Sequence, residues 1–313
     1  MKYLKKISLM IVLALPALSS ADYKIVFSKE KINIPESQSI GADPNVETAF
    51  YEKPSRIDNR YFQHLGIMGH DNNKIFLAYV SRGFVYNDYY HNIGYLDENK
   101  NLINVKSTSY TDGSSRIDAY GGFTNDNIFY YEQKQNNDYF VTYNTITGKQ
   151  DVVYGVEASD DEIIDSSMFA LKQYSTAVRY YKRYDSGTYE IVSDTGGISF
   201  MSPAPDDTFW VGKGSNSQSA GNLKQYDYQG NLLNEFSGVN IHYNSAEVET
   251  NGDGSLLYYF HYGSKKIYEL NVSTGEEKLL WNATDDFVTY PSDILYFNDA
   301  IYVSDGYKII KID

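Results

Sequence analysis

Asn251-Gly252-Asp253-Gly254-Ser255, running straight into Leu256-Leu257-Tyr258-Tyr259-Phe260 and followed by Thr274-Gly275, is the stretch on which the fold turns. A tight polar turn leading into a short aromatic run reads as a hairpin turn and a strand. The strand recurs as Lys74-Ile75-Phe76-Leu77-Ala78-Tyr79-Val80, Asn127-Ile128-Phe129-Tyr130-Tyr131, Met168-Phe169-Ala170-Leu171-Lys172 and Thr208-Phe209-Trp210-Val211, and Ile301-Tyr302-Val303 opens a sixth copy. The later turn recurs as Glu98-Asn99-Lys100-Asn101, Thr147-Gly148, Ser186-Gly187 and Gln229-Gly230, with steps of 48, 39, 43 and 45 residues from Lys100 through each glycine to Gly275. Period-2 runs of Tyr, Ile, Val and Phe recur throughout, and no twelve-residue window after residue 21 keeps a 3.6-residue apolar period with helix caps. The chain reads as all-β.

A period near 44 residues with four strands per unit describes propeller blades, which must stack around an axis because no single sheet buries its own faces. The next turn after Gly275 falls due beyond Asp313, so the last unit holds only three strands, Asp293 to Phe297, Ala300 to Ser304 and Tyr307 to Asp313. Tyr23-Lys24-Ile25-Val26-Phe27-Ser28 alternates cleanly and is the candidate for the missing one, which would remove an open edge. The expectation is a six-bladed β-propeller of four-stranded antiparallel blades, closed by the N-terminal strand in the last blade, with five or seven blades as alternatives. The chain resembles six-bladed propellers of the broad TolB, NHL and gluconolactonase-like kind. Two tryptophans, Trp210 and Trp281, and no paired Gly-His and Trp-Asp signatures speak against a WD40 assignment.

Residues 1–21 carry three lysines in Met1 to Lys6, an apolar stretch from Ile7 to Leu18 and the small residues Ser19-Ser20-Ala21, and resemble a bacterial secretory signal peptide. The apolar run is shorter than the roughly 20 residues that span a bilayer. The reading is therefore export to the periplasm or exterior of a Gram-negative cell, with 22–313 as one propeller domain and 30–60 as a long connecting segment, a lid or a surface belt. Removing the leader takes the formal charge from −14 to −17. That balance argues against nucleic acid, whose phosphates require a basic surface. The chain has no cysteine, hence no disulfide, no lipid-modified thiol and no thiol nucleophile.

In propellers of this kind the loops from outer to inner strand and between second and third strands open on one face. Four of the six arginines, Arg56, Arg60, Arg82 and Arg116, map to that face near the first blade, joined by His64, Tyr86, Tyr89, Tyr90 and His91. Arginine forks grip carboxylate or sulfate in pairs of hydrogen bonds, and tyrosine faces give apolar area to a sugar ring, which suits an acidic saccharide. Against this stand the 32 tyrosines of the chain and the surplus of acids that arginines can pair with. Loop acids recur at Asp112, Asp160, Asp161, Asp194, Asp285 and Asp286. They read as turn chemistry, with calcium or another divalent cation as the alternative.

No Gly-x-Ser-x-Gly elbow, His-Glu-x-x-His pair or phosphate loop is present. His64 and His70 stand about 20 Å apart on one extended strand and cannot share a metal. Inner-strand acids Asp118, Glu247 and Asp293 are candidates for a channel mouth. The leading reading is an exported, non-catalytic binding propeller without a cofactor, recognising a glycan, acidic in one version, or a protein on its loop face. The alternative is a metal-assisted lyase, lactonase or hydrolase acting on an acidic sugar or lactone, with His64, His91, His242 and His261 as the available imidazoles.

Overall fold

The computed structural model describes 26–27, 45–57, 60–71, 74–83, 89–110, 116–124, 127–134, 137–144, 146–154, 160–163, 168–173, 177–183, 189–196, 200–206, 208–213, 221–227, 230–241, 248–261 and 264–313. Within 26–27, 109–143 and 150–201, and at 203 and 213, only the backbone is described. All regular structure among these residues is strand, grouped into six sheets. No helix among them is long and apolar enough to cross a membrane.

Sheet 1 orders Arg60–Asp71, Lys74–Arg82, Tyr89–Leu96 and Leu102–Tyr110 side by side, with the short Arg56–Ile57 added beyond the first. Sheet 2 runs from Arg116–Thr124 through Asn127–Lys134 and Asn137–Asn144 to Gln150–Tyr154. Sheet 3 runs from Asp160–Ile163 through Met168–Gln173 and Ala177–Arg183 to Tyr189–Gly196. Phe200–Ala204, Thr208–Lys213, Gly221–Asp227 and Leu232–Val239 make sheet 4, and Val248–Thr250, Leu256–Phe260, Lys266–Asn271 and Glu277–Asn282 make sheet 5. Sheet 6 holds Asp293–Phe297, Ala300–Ser304 and Lys308–Ile312, with Val46–Glu52 as its fourth strand. Each of the quoted repeat strands is therefore the second strand of its own sheet. The first strands of consecutive sheets touch in order from sheet 1 to sheet 6, and the first strand of sheet 6 touches that of sheet 1.

The hydrophobic clusters lie between sheets. One joins Phe62, Leu77 and Tyr79 of sheet 1 to Leu295 and Tyr302 of sheet 6. A second joins Trp210 and Leu223 of sheet 4 to Leu257 and Tyr259 of sheet 5, and a third joins Tyr258 and Phe260 of sheet 5 to Ile301 and Val303 of sheet 6. A sheet packed on both sides has no wet face, so its inner strands lose alternation and become continuous apolar runs. Ile75 to Tyr79 and Ala300 to Ser304 are buried without a break.

One sequence expectation is corrected. Of Tyr23–Ser28, the described residues Val26–Phe27 pair in parallel with Glu235 and Phe236 on the outer edge of sheet 4, not with sheet 6. The place beside Lys308–Ile312 is taken by Val46–Glu52, antiparallel, with Val46 opposite Ile312 and Glu52 opposite Lys308. This strand lies inside the segment read as a lid or belt. Its sequence signal is weak because an outer-edge strand buries only part of one face, and a register irregularity between Glu47 and Tyr51 interrupts its alternation.

The repeat turns share one backbone feature. Gly148, Gly230 and Gly275 have φ values of 68°, 85° and 67°, in the left-handed region that glycine adopts without steric cost. Lys100 stands at the same turn position with φ 62°. Its ammonium reaches Glu47 at 2.5 Å and lies 4.4 Å from the centre of the Phe50 ring, tying the sheet 1 hairpin to the closing strand of sheet 6. Lys100→Ala keeps the strained turn and removes both contacts, so urea unfolding should show a loss of about 1 kcal/mol. Lys100→Gly relieves the strain while losing the same contacts and should stay within about 0.5 kcal/mol of the parent.

Candidate ligand-binding site

The upper end of sheet 1 is set by strand register. Arg56 pairs with Tyr61, Tyr61 with Arg82, Arg82 with Tyr89 and Tyr89 with Tyr110. Directly opposed residues share a face of the sheet, so these positions form one row crossing five strands. The Arg56 guanidinium lies 4.8 Å from the centre of the Tyr61 ring and donates to its hydroxyl at 3.2 Å, and that of Arg82 lies 5.4 Å from the Tyr89 ring. Such cation–π contacts contribute about 0.5–1 kcal/mol each where solvent reaches them. They also restrict where a planar guanidinium can lie.

Arg60 and Tyr90 belong to the opposite face, the one carrying the buried Phe62 and Ser81 toward sheet 6. There the Arg60 guanidinium sits 3.4 Å from the Tyr90 ring centre. Beneath them, buried Asn92 donates to Ser81 Oγ at 3.1 Å and to the Tyr90 carbonyl at 3.0 Å, and accepts from Ser107 Oγ at 2.7 Å. This network pins the second, third and fourth strands to one another under the arginines. On the same flank the Lys53 ammonium donates to the Phe62 carbonyl at 3.0 Å and lies 5.0 Å from the Tyr307 ring centre.

The other proposed residues scatter. His91 opposes Val80 one step below Tyr89 on the row's face. A register irregularity between Phe62 and His64 sets His64 opposite Val80, one step below the row, and its ring packs against Gly306 of sheet 6, where an added Cβ would come within 2.3 Å of Nε2. Burial lowers the His64 pKa, Asp305 opposes that shift and Lys53 reinforces it. Arg116 opens sheet 2, whose first strand touches the third and fourth strands of sheet 1. Tyr86 lies outside the described residues, as do Asp112, His242 and Glu247. His70 stacks on Phe297 with ring centres 4.4 Å apart, at the far end of the strand from His64. Asp286 accepts from Trp281 Nε1 at 3.1 Å. Among the described residues no three His, Asp or Glu side chains gather as a metal site.

Three carboxylates hold neighbouring segments together. Buried Asp305 accepts from the backbone N–H groups of Val288, Tyr307 and Lys308 at 2.7, 2.9 and 3.0 Å, fixing two loops of the same end. Asp293 accepts from Ser292 Oγ at 2.5 Å and from the Ile67 N–H of sheet 1, and burial pushes it up to about 6. Glu249, in sheet 5, accepts the Tyr296 N–H of sheet 6, and burial pushes it up to about 8. Asp293 and Glu249 each span the gap from their own first strand to the next. Asp293 was legible as an inner-strand acid. Glu249 was not, because only the packing of adjacent first strands encloses it.

No protein-family model matches the chain, and no curated protein matches it in sequence. An auxiliary nutrient binding protein from Bacteroides thetaiotaomicron superposes with a TM-score of 0.50 at 13% identity, covering 80% of this chain and 68% of that one. The β-propeller domain of Cps50 (Swd1) from Myceliophteria thermophila gives 0.49 at 12% identity over 83% and 99% of the two chains. A chain of a nidogen/laminin complex gives 0.48 at 12% identity over 70% and 82%. At such identities only the fold is comparable. By its repeats and its sheets the chain is a β-propeller repeat protein.

Proposed function

We propose that the protein is an exported binding propeller that holds an anionic saccharide, or an acidic protein surface, at the upper end of sheet 1. The reading takes the six sheets as six blades in a closed ring, with residues 1–21 as a cleaved leader and 22–313 as one domain. The supporting observation is the cross-strand row Arg56, Tyr61, Arg82 and Tyr89, in which each guanidinium rests on a tyrosine ring. Two oriented cationic forks on a chain of formal charge −14 form a local exception to the repulsion any anion meets elsewhere on the surface. Ring faces next to them supply apolar area for sugar. Arg60 with Tyr90 lies on the opposite face of the same end of sheet 1, and Arg116 opens sheet 2.

Binding to a glycan array is the test. The double variant Arg82→Ala with Tyr89→Ala is expected to weaken the strongest anionic hit by at least about tenfold, since a bidentate charged contact and its stacking partner both go. Retention of full binding by the double variant would remove this surface from consideration.

A further inference from the structure

The row has a spacing as well as a composition. Neighbouring strands lie about 4.8 Å apart, so Arg56 and Arg82, separated by one strand, present their side chains from backbone positions about 10 Å apart. Tyr61 stands between them, and Tyr89 follows on the next strand, so the order across the sheet is cation, ring, cation, ring. We infer that the ligand is a linear polysaccharide with its carboxylate on alternate sugars, lying across the strands rather than along them; this rests on the binding role proposed above.

The physical match is one of period. A disaccharide unit of an extended chain is comparable in length to two strand spacings, so consecutive anionic groups meet Arg56 and Arg82 while the uncharged sugar between them lies at Tyr61. An extended acidic peptide fits this row poorly. Its same-face carboxylates recur about every 7 Å, so only one of them can be in register with a fork at a time. The guanidinium groups already rest against tyrosine rings, which reduces the order lost on binding. Lysine in place of either arginine would keep charge but give up both fork and stack.

Oligosaccharide ladders of hyaluronan and unsulfated chondroitin, in which the carboxylate recurs on alternate sugars, test the inference by calorimetry on the full mature chain. The tetrasaccharide, the first member to carry two carboxylates, is expected to bind about tenfold or more tighter than the disaccharide, and hexasaccharides to add little. Arg56→Ala should erase that step, so that tetrasaccharide binds no tighter than disaccharide, and Arg56→Lys should erase most of it. Arg56 is exposed on the two-residue edge strand, so its replacement leaves the core untouched. Absence of the step in both ladders, or binding of poly-glutamate as tight as the tetrasaccharide, would overturn the inference. If the ladders fail while a neutral glycan or a protein still binds in a manner that Arg82→Ala with Tyr89→Ala abolishes, the polysaccharide assignment falls and the binding role stands. If nothing that binds responds to these substitutions, both fall.

Discussion

Glu249→Gln is expected to make the protein more stable at pH 9 and to leave it nearly unchanged at pH 4. The carboxyl of Glu249 is enclosed between the first strands of sheets 5 and 6, and burial pushes its pKa up to about 8 from the ordinary value of 4.5. A group whose pKa is higher in the folded than in the unfolded chain binds its proton more tightly when folded. Its contribution to stability is fully present below pH 4.5 and is lost as the pH rises through 8. Above that range the folded protein holds a desolvated carboxylate, at a cost of up to roughly 3–5 kcal/mol. Glutamine keeps the carbonyl that accepts the Tyr296 N–H and never ionises, so the cost disappears. Urea unfolding of the two proteins across pH 4 to 9 checks this. The gap in stability should open between pH 4.5 and 8, and a gap independent of pH, or of opposite sign at pH 9, would contradict the burial of this side chain. Asp293 shifts in the same direction, to about 6, and adds a smaller loss over a lower pH range at the neighbouring seam.

Gly94→Ala should cost about 3 kcal/mol or more, at the upper end of what overpacking does in a core. Gly94 is buried in the third strand of sheet 1, at a register irregularity between Ile93 and Gly94. A Cβ there would come within 2.5 Å of the Ile103 carbonyl oxygen and 3.1 Å of Leu102 Cδ1. The first obstacle is backbone, and it can move only if the hairpin to the fourth strand gives way. The strand that carries Gly94 begins at Tyr89, so a slip in its pairing also displaces Tyr89 from Arg82, and ligand binding should fall together with stability. Gly252→Ala is the control. Its added methyl meets nothing closer than 4.0 Å, and the unfolding midpoint should barely move.

The contrast between these two glycines shows what kind of information residue order carries. Gly148, Gly230 and Gly275 were readable as turn glycines because a repeat set them at matching positions, and their backbone angles agree. Gly94 has no such marker, since its role comes from a carbonyl on the next strand. The same distinction holds for the candidate site. Arg56, Arg82 and Tyr89 are near one another in the chain and are brought into one row, but Tyr61, their middle member, was indistinguishable among 32 tyrosines until the register fixed its place. Arg60 and Tyr90, one residue away from members of the row, point to the other side because successive residues of a strand alternate. A single irregularity in pairing sets His64 opposite Val80, one step below the row, where local alternation from Phe62 would have put it on the other face.

Residue order alone determined the all-strand character, the unit of about 44 residues and the strand that begins each hydrophobic run, because burial on both faces imposes a composition that local reading detects. Packing decided which N-terminal segment joins sheet 6, which carboxyls are pressed between first strands and which arginines share a face. Those outcomes depend on partners outside the local stretch, from Tyr61 opposite Arg82 to Val46 opposite Ile312, and hydrogen-bond register between separate segments leaves little trace in the residues of either one.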